Sequence, residues 1–258
     1  MITKAKLIPF SKYEEALQAV NVTPNFFVSE RYWLAAGWVC TQEADLMIVR
    51  DEDGLQVLPS IGPKGLVEGL AWSDFPGYVG IGMLSFLDYQ FIYDPASFSD
   101  LSGGSRAVFR KNVRRFDRDH TEWEYRRPVS CEEMIQLLGE WLQEGEEVYG
   151  LETILAYLEA CSGDESRVLT IGGKPVAMTA WDSNWAYINF RYCFADRSVK
   201  YSSEFVRLQF YLDMISRHKG KTVNDGGALG NLELMRFKNK MGPVRVDSIY
   251  SWKETKDG

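Results

Sequence analysis

Residues 167–225 read RVLTIGGKPVAMTAWDSNWAYINFRYCFADRSVKYSSEFVRLQFYLDMISRHKGKTVND. Three apolar runs come first, at 167–171, 176–182 and 185–194. They are parted by Gly172-Gly173-Lys174-Pro175 and by Asp182-Ser183-Asn184, the turn chemistry of an antiparallel meander. The period then changes: Phe205, Leu208, Leu212 and Ile215 fall on one face of a helix that should end near Gly220. Thr222 to Asp225 returns as a short strand. A meander followed by a helix and a further strand predicts an α+β layer in which helices pack a mostly antiparallel sheet.

Working outward, Leu232 to Met241 has helical spacing and Val244 to Trp252 closes the chain as a strand. Upstream, Met134, Leu137, Leu138, Trp141 and Leu142 form one apolar stripe, opened by Ser130 and Glu133 at capping-box spacing, and Glu152 to Cys161 continues as a second helix. A strand is expected at 122–126 and a helix over Ser105 to Asp119, after Gly103-Gly104. The second half therefore reads β-α-α-β-β-β-α-β-α-β. The first half begins with helices around Tyr13-Ala16-Leu17-Val20 and over Val28 to Ala36. A hairpin follows, Asp45 to Arg50 with Leu55 to Ser60 about an Asp-Gly turn, and then short strands near 66–70 and 89–93. Two fused halves of similar topology, 1–120 and 121–258, account for the 258 residues.

Composition narrows the function. Hydrophobic residues at 45% and charged residues at 25% fit a globular chain with its own core. The longest apolar stretch, Tyr78 to Leu87, is about half of what a membrane helix needs, and the start lacks a secretory h-region, so a cytoplasmic protein is expected. Cys40, Cys131, Cys161 and Cys193 are scattered without a CxxC pair, and His120 and His218 are the whole histidine supply. Neither a metal site nor Ser/His/Asp chemistry is expected from that inventory. The net charge of −7 argues against a general nucleic-acid coat, but its distribution is uneven. Ser105 to Pro128 carries eight basic and four acidic residues, +4, which leaves −11 elsewhere.

Much of that local charge lies in a stripe. Arg106, Arg110, Arg114 and Arg118 recur every four residues, with Lys111 and Arg115 beside them, so a helix stacks them along one face. Guanidinium groups grip phosphate as forks, and the same stripe is also what a solvated helix balanced by Asp117 and Asp119 presents. Asp225-Gly226-Gly227-Ala228-Leu229-Gly230 lies between strand and helix, where glycines allow backbone amides to approach an anion or a carbonyl; a plain turn has the same composition. Its GGxxG spacing is not a dinucleotide fingerprint. The tryptophans, Trp141, Trp181 and Trp185 among them, read as packing groups rather than base platforms.

Several of these segments carry a resemblance. Asn224, Leu229, Gly230, Leu234, Lys238 and Pro243 fall without a gap at the spacing of the lysylphosphatidylglycerol synthetase C-terminal domain family. Phe91-Ile92-Tyr93-Asp94, Leu101-Ser102-Gly103-Gly104, Arg110-Lys111-Asn112 with Phe116, and Gly173-Lys174-Pro175-Val176-Ala177 resemble its other landmarks in order. Phe237-Lys238 with Met241-Gly242 also resembles the ending of the Fem aminoacyltransferases. The resemblance covers Asp88 to Trp252. It implies a tandem GCN5-related acyltransferase fold and transfer of an acyl or aminoacyl group, often from charged tRNA, to an amine or hydroxyl on a small molecule, peptide or lipid. Here Gly226-Gly227-Ala228 follows Asp225 where the family usually carries acidic residues, and the membrane half of the lipid-modifying members is absent from the sequence.

Residues and resemblance together give the candidate site. Lys238, Asp225 and Tyr192 are the expected catalytic groups, with Asp196 and Glu204 as further conceivable proton acceptors. Arg106, Arg110, Lys111, Arg114, Asn224, Gly227, Gly230 and Arg191 are expected to bind substrate or phosphate. Backbone amides from Ala177 to Thr179 are expected to hold the acyl carbonyl. No tightly bound cofactor is expected; the donor is aminoacyl-tRNA or acyl-coenzyme A. The loop from Ala195 to Glu204 lacks glycine, which disfavours coenzyme A in the second half. A binding module that keeps the fold without turnover is the third alternative.

Overall fold

A computed structural model describes residues 6–21, 23–53, 56–58, 60–62, 65–66, 69–72, 82–142, 150–161, 163–228 and 230–254. The chain divides into two compact units, one formed by 1–90 with 246–258 and the other by 91–245. The expected boundary at 120/121 is therefore displaced. The helix that ends at Asp119 packs within the second unit, and the last strand returns to the first.

In the first unit, strand β1 (Lys6–Ile8) is followed by α1 (Phe10–Ala19) and α2 (Glu30–Ala35), then by β2 (Val39–Glu43), β3 (Leu46–Arg50), β4 (Ile61–Gly62) and β5 (Gly65–Leu66). These five strands are ordered β1-β2-β3-β4-β5. Tyr13 and Leu17, four apart on α1, are fully buried, and the Tyr13 and Phe10 rings meet Trp33 of α2 at 5.4 and 5.1 Å. Ser29 caps α2 by accepting from the Tyr32 amide. β3 pairs with β2 through a turn at Ala44 and Asp45, and the expected second arm returns along its other edge: among the described residues, an antiparallel bridge joins Arg50 to Gln56 and the Val57 N–H donates to the Val49 carbonyl. The Asp-Gly signal ends at Gly54, outside the described residues. Further along, β6 (Gly69–Trp72) pairs with β13 (Arg245–Glu254).

The second unit takes the end of β7 (Gly82–Tyr93), then α3 (Ala107–Asp119), β8 (Trp123–Arg126), α4 (Cys131–Trp141) and α5 (Leu151–Ala160). It continues with β9 (Ser166–Ile171), β10 (Lys174–Ser183), β11 (Tyr187–Ala195), α6 (Ser202–Arg217), β12 (Thr222–Asn224) and α7 (Leu232–Lys240). The expected order of elements is present. Gly172 and Gly173, with φ of 55° and 80°, supply the two left-handed residues of a tight turn that joins β9 to β10. Asn184 makes the next corner, its Oδ1 accepting the Ala186 and Tyr187 amides at 3.0 and 2.8 Å. β12 lies parallel to β11 and antiparallel to the end of β7.

Aromatic packing fixes the helices. α3 buries Phe109, Val113 and Phe116, and Phe116 stacks on Phe205 of α6 at 4.4 Å. Phe210 of α6 stacks on Phe190 of β11 at 4.2 Å, and Tyr211 stacks on Phe98 at 3.9 Å. Such pairs contribute about 0.5–1.5 kcal/mol each beyond their buried area. The expected capping box at α4 does not form. Ser130 makes no side-chain cap, and Glu133 instead accepts from Arg126 at 2.6 and 3.1 Å and from the Val129 amide at 2.9 Å.

Candidate active site

Two features of the β11 strand create the site. The first is a bulge: Ala180 pairs with Tyr192 and Trp181 with Phe190, so Arg191 is the extra residue on β11. The second is a fork. β11 pairs with β12 from Tyr187 to Asn189, where Asn189 faces Asn224, but β11 runs on to Ala195 while β12 stops. Asp225 and Gly226 then follow β7 instead, through the Asp225 N–H to Phe91 carbonyl bond and the Phe91 N–H to Gly226 carbonyl bond. The backbone amides expected to hold an acyl carbonyl, Ala177 to Thr179, are corrected by this layout. β10 is paired with β9 and β11 on both sides there, which leaves the opening along the far edge of β11.

Beside the fork lies a buried ionic cluster. Asp225, 4% exposed, accepts from Arg207 Nη1 at 2.6 Å, and the Lys238 Nζ stands 3.1 Å from its other oxygen. The Tyr211 hydroxyl adds a longer bond at 3.4 Å. Burial, with Asp225 beside it, pushes the Tyr211 phenol well above its ordinary range, so it remains a donor. Burial opposes the charge on Arg207, yet Asp225 and the neighbouring thiol and phenols hold its pKa above the usual value. The Lys238 Nζ also donates to the Asp225 carbonyl and, at 2.7 Å, to the Gly227 carbonyl. All three ammonium donors thus have acceptors, so Lys238 clamps the loop rather than pointing at open space. Asn224, fully buried, accepts the Gly226 amide at 2.9 Å, Gly230 supplies a left-handed turn with φ of 76°, and Asn231 caps α7 through the Glu233 and Leu234 amides. The sequence-predicted residues Lys238, Asp225, Asn224, Gly227 and Gly230 therefore do belong to one structural group.

Others do not join it. Arg106 is 6% exposed and turned inward. Its guanidinium donates to the Met241 carbonyl at 2.8 Å, to the Ser97 hydroxyl at 2.7 Å and to the Ser97 and Gly242 carbonyls, over the Phe98 ring. The reading of Arg106 as a phosphate ligand is corrected accordingly, because it ties α3 to the segment after α7. Arg191 is likewise committed: Nε and Nη2 hold Asp182 at 2.7 and 3.0 Å, and its side chain is fully buried. Tyr192 is half-buried between the Tyr157 ring at 5.1 Å and Phe194, stacked at 5.8 Å.

The remaining cations of the stripe form a surface. Arg110, Lys111, Arg114, Arg115 and Arg118 border a shallow depression of about 460 Å³ on the outer face of α3. Lys111 and Arg114 are exposed, whereas Arg110 reaches back to the Leu101 carbonyl and Arg115 donates to the Tyr201 hydroxyl at 3.1 Å. The loop that enters α6 carries both signs, Asp196 and Glu204 beside Arg197 and Lys200. Asp196 folds onto its own loop, accepting the Ser198 amide at 2.8 Å and hydroxyl at 2.6 Å, and the Ser198 side chain holds its carboxyl below the ordinary range. Glu204 sits in the first turn of α6, held by Asn112 at 2.9 Å.

Sequence reasoning missed Arg207, Asp182 and Asn189. Arg207 had a signal, a single cation inside the apolar run Phe205-Val206-Arg207-Leu208. Asp182 was masked by the turn-like triplet that contains it. Among the described residues no group of three acidic, histidine or cysteine side chains is placed to hold a metal ion, and no helix is long and apolar enough to cross a membrane.

No known family's sequence profile matches the chain, and no curated protein matches its sequence. Solved structures do match. A conserved protein of unknown function from Bacteroides thetaiotaomicron aligns with a TM-score of 0.70 at 15% identity, over 98% of this chain and 100% of that one. L-PGS from Bacillus licheniformis aligns with a TM-score of 0.64 at 16% identity, over 99% and 95%. The C-terminal domain (DUF2156) of a putative lysylphosphatidylglycerol synthetase from Agrobacterium fabrum gives 0.61 at 12% identity, over 96% and 93%. At such identities the likeness is one of fold, and the chain carries the fold of the lysylphosphatidylglycerol synthetase C-terminal domain, the family its motifs between Asp88 and Trp252 resemble.

Proposed function

We propose that the protein is an acyltransferase, and more narrowly that it moves an amino acid from aminoacyl-tRNA to an amine or hydroxyl acceptor. The basic face of α3 in the second unit carries this reading. Cations four apart on α3 rise about 6 Å per step, a spacing suited to successive phosphates of a nucleic-acid backbone. The loop that enters α6, Ala195 to Glu204, has no glycine to let backbone amides close on a pyrophosphate, and within it Asp196 already takes the Ser198 amide and hydroxyl. That loop favours a tRNA donor over acyl-coenzyme A.

Transfer needs little covalent help. The acceptor nitrogen or oxygen attacks the ester carbonyl, the carbon–oxygen bond to the ribose breaks, and the ribose hydroxyl leaves with the proton that the acceptor loses. The fork beside β11 holds the reacting ester in this reading. Lys238 and Asp225 set the conformation of the Asp225–Gly227 loop along one wall, Tyr192 stands on β11 beyond the fork, and Lys111 and Arg114 take the RNA backbone. No tightly bound cofactor takes part.

Filter binding of a charged tRNA pool across a salt series, with acetyl-coenzyme A titrated in parallel, tests the proposal. Affinity for tRNA should fall steeply with salt. Lys111→Glu with Arg114→Glu should abolish binding while leaving stability within about 0.5 kcal/mol. Binding of the coenzyme without tRNA would make ordinary N-acylation the working reading.

A further inference from the structure

The fork contains one buried group with no role so far. Asn189 is fully buried and forms, with Asn224, the last pair of the parallel ladder. The orientation of its amide is set by chemistry. Asp182 Oδ1 only accepts, and it lies 2.9 Å from one end, which is therefore the Nδ2 donor. Asp182 is itself saturated, by that donor, by the two bonds from Arg191 and by the Tyr157 hydroxyl at 3.2 Å. Acid and guanidinium cancel, so the site is close to neutral.

The other end of the amide, Asn189 Oδ1, is buried and has no hydrogen-bond donor among the described residues. Folded chains keep few such atoms, because a buried acceptor without a partner forfeits its hydration, and those that persist ask for a ligand or a functional reason. This one sits where two strands part, next to the bulged Arg191, and β11 has no β12 residue opposite it from Phe190 onward. Bulges and strand openings are where side chains are re-aimed toward a ligand.

We propose that Asn189 Oδ1 accepts a hydrogen bond from an N–H of the acyl donor, so the fork selects a donor carrying an amine or amide N–H near its acyl carbonyl and discriminates against a plain acyl ester. The inference rests on the acyl-transfer reading. Two sources share the chemistry: the α-amine of an aminoacyl ester, and the amide of a pantetheine-type thioester arm.

The test uses the full chain and three 3′-acylamino-3′-deoxyadenosines, stable copies of a charged tRNA end, bearing an α-amine, an α-hydroxyl or an α-hydrogen. Acetyl-coenzyme A is titrated as a fourth probe. The amine and hydroxyl compounds should bind at least about tenfold more tightly than the hydrogen compound, and Asn189→Leu should bring that ratio close to one. Equal binding of all three to the wild type, or a ratio that survives in Asn189→Leu, overturns the inference and leaves the tRNA reading standing. Binding of none of the three, and none of the coenzyme, overturns both. Coenzyme binding alone, weakened by Asn189→Leu, assigns the N–H to the amide arm and overturns the tRNA donor. Should Asn189→Leu not fold, the smaller Asn189→Ser, which withdraws the amide oxygen, should likewise bring that ratio toward one, and an unchanged ratio counts against the proposal.

Discussion

At the scale of single residues, Asp225 is the group on which two buried cations depend. Removing it leaves Arg207 and Lys238 desolvated without their carboxylate, whereas removing Lys238 leaves Asp225 still paired with Arg207. Asp225→Ala should therefore destabilise the protein by about 3–5 kcal/mol, and Lys238→Ala by visibly less, as urea unfolding would show. A reversed order would mean that the lysine, not the carboxylate, holds the cluster. The sequence announced Asp225 and Lys238 because a glycine-rich turn and a helix motif surround them. It did not announce Asn189 or Asp182, since a buried amide and a buried carboxylate in a strand look like any others until the sheet shows what they face.

At the scale of elements, the β-β-β-α-β run was legible because its period changes sharply at Tyr201, and the amphipathic stripes of α4 and α6 were equally plain. What stayed hidden was pairing. Asp51 to Gly54 has hairpin composition and Gln56 does return beside Arg50, but β3 also pairs with β2, where Cys40 and Val49 face each other and both are buried, a preference that turn chemistry at 51–54 does not report. Spacing likewise promised a capping box on α4, and an ion pair to β8 took the glutamate. That substitution has a pH signature. The side-chain bond from Arg126 holds the Glu133 carboxyl below its ordinary value of 4.5, so the stabilisation is present above that value and is lost as pH falls through the lower folded value. Glu133→Gln should cost about 1 kcal/mol at neutral pH, allowing for partial solvation. Thermal melts of the two proteins should converge below pH 4.5; a gap that persists in acid would place the effect elsewhere.

At the scale of the whole molecule, length and the mixture of helices and strands led to the expectation of two successive halves, whereas the two compact units are 1–90 with 246–258, and 91–245. A cut between 120 and 121 looks natural in the sequence because a helix ends there. In the structure it would strip α3 from α6 and expose Phe205, whose ring stacks on Phe116 and meets Trp123 at 4.9 Å. A fragment of residues 121–258 should accordingly lack a cooperative unfolding transition in denaturant, and a sharp two-state curve would refute that placement of α3. The return of residues 246–258 to the first unit has a topological corollary. Both chain ends belong to one unit and the other is an insertion between them, bridged by the pairing of β6 with β13. The chain therefore crosses from one unit to the other twice, at 90/91 and at 245/246, so no single cut in the sequence releases either unit whole.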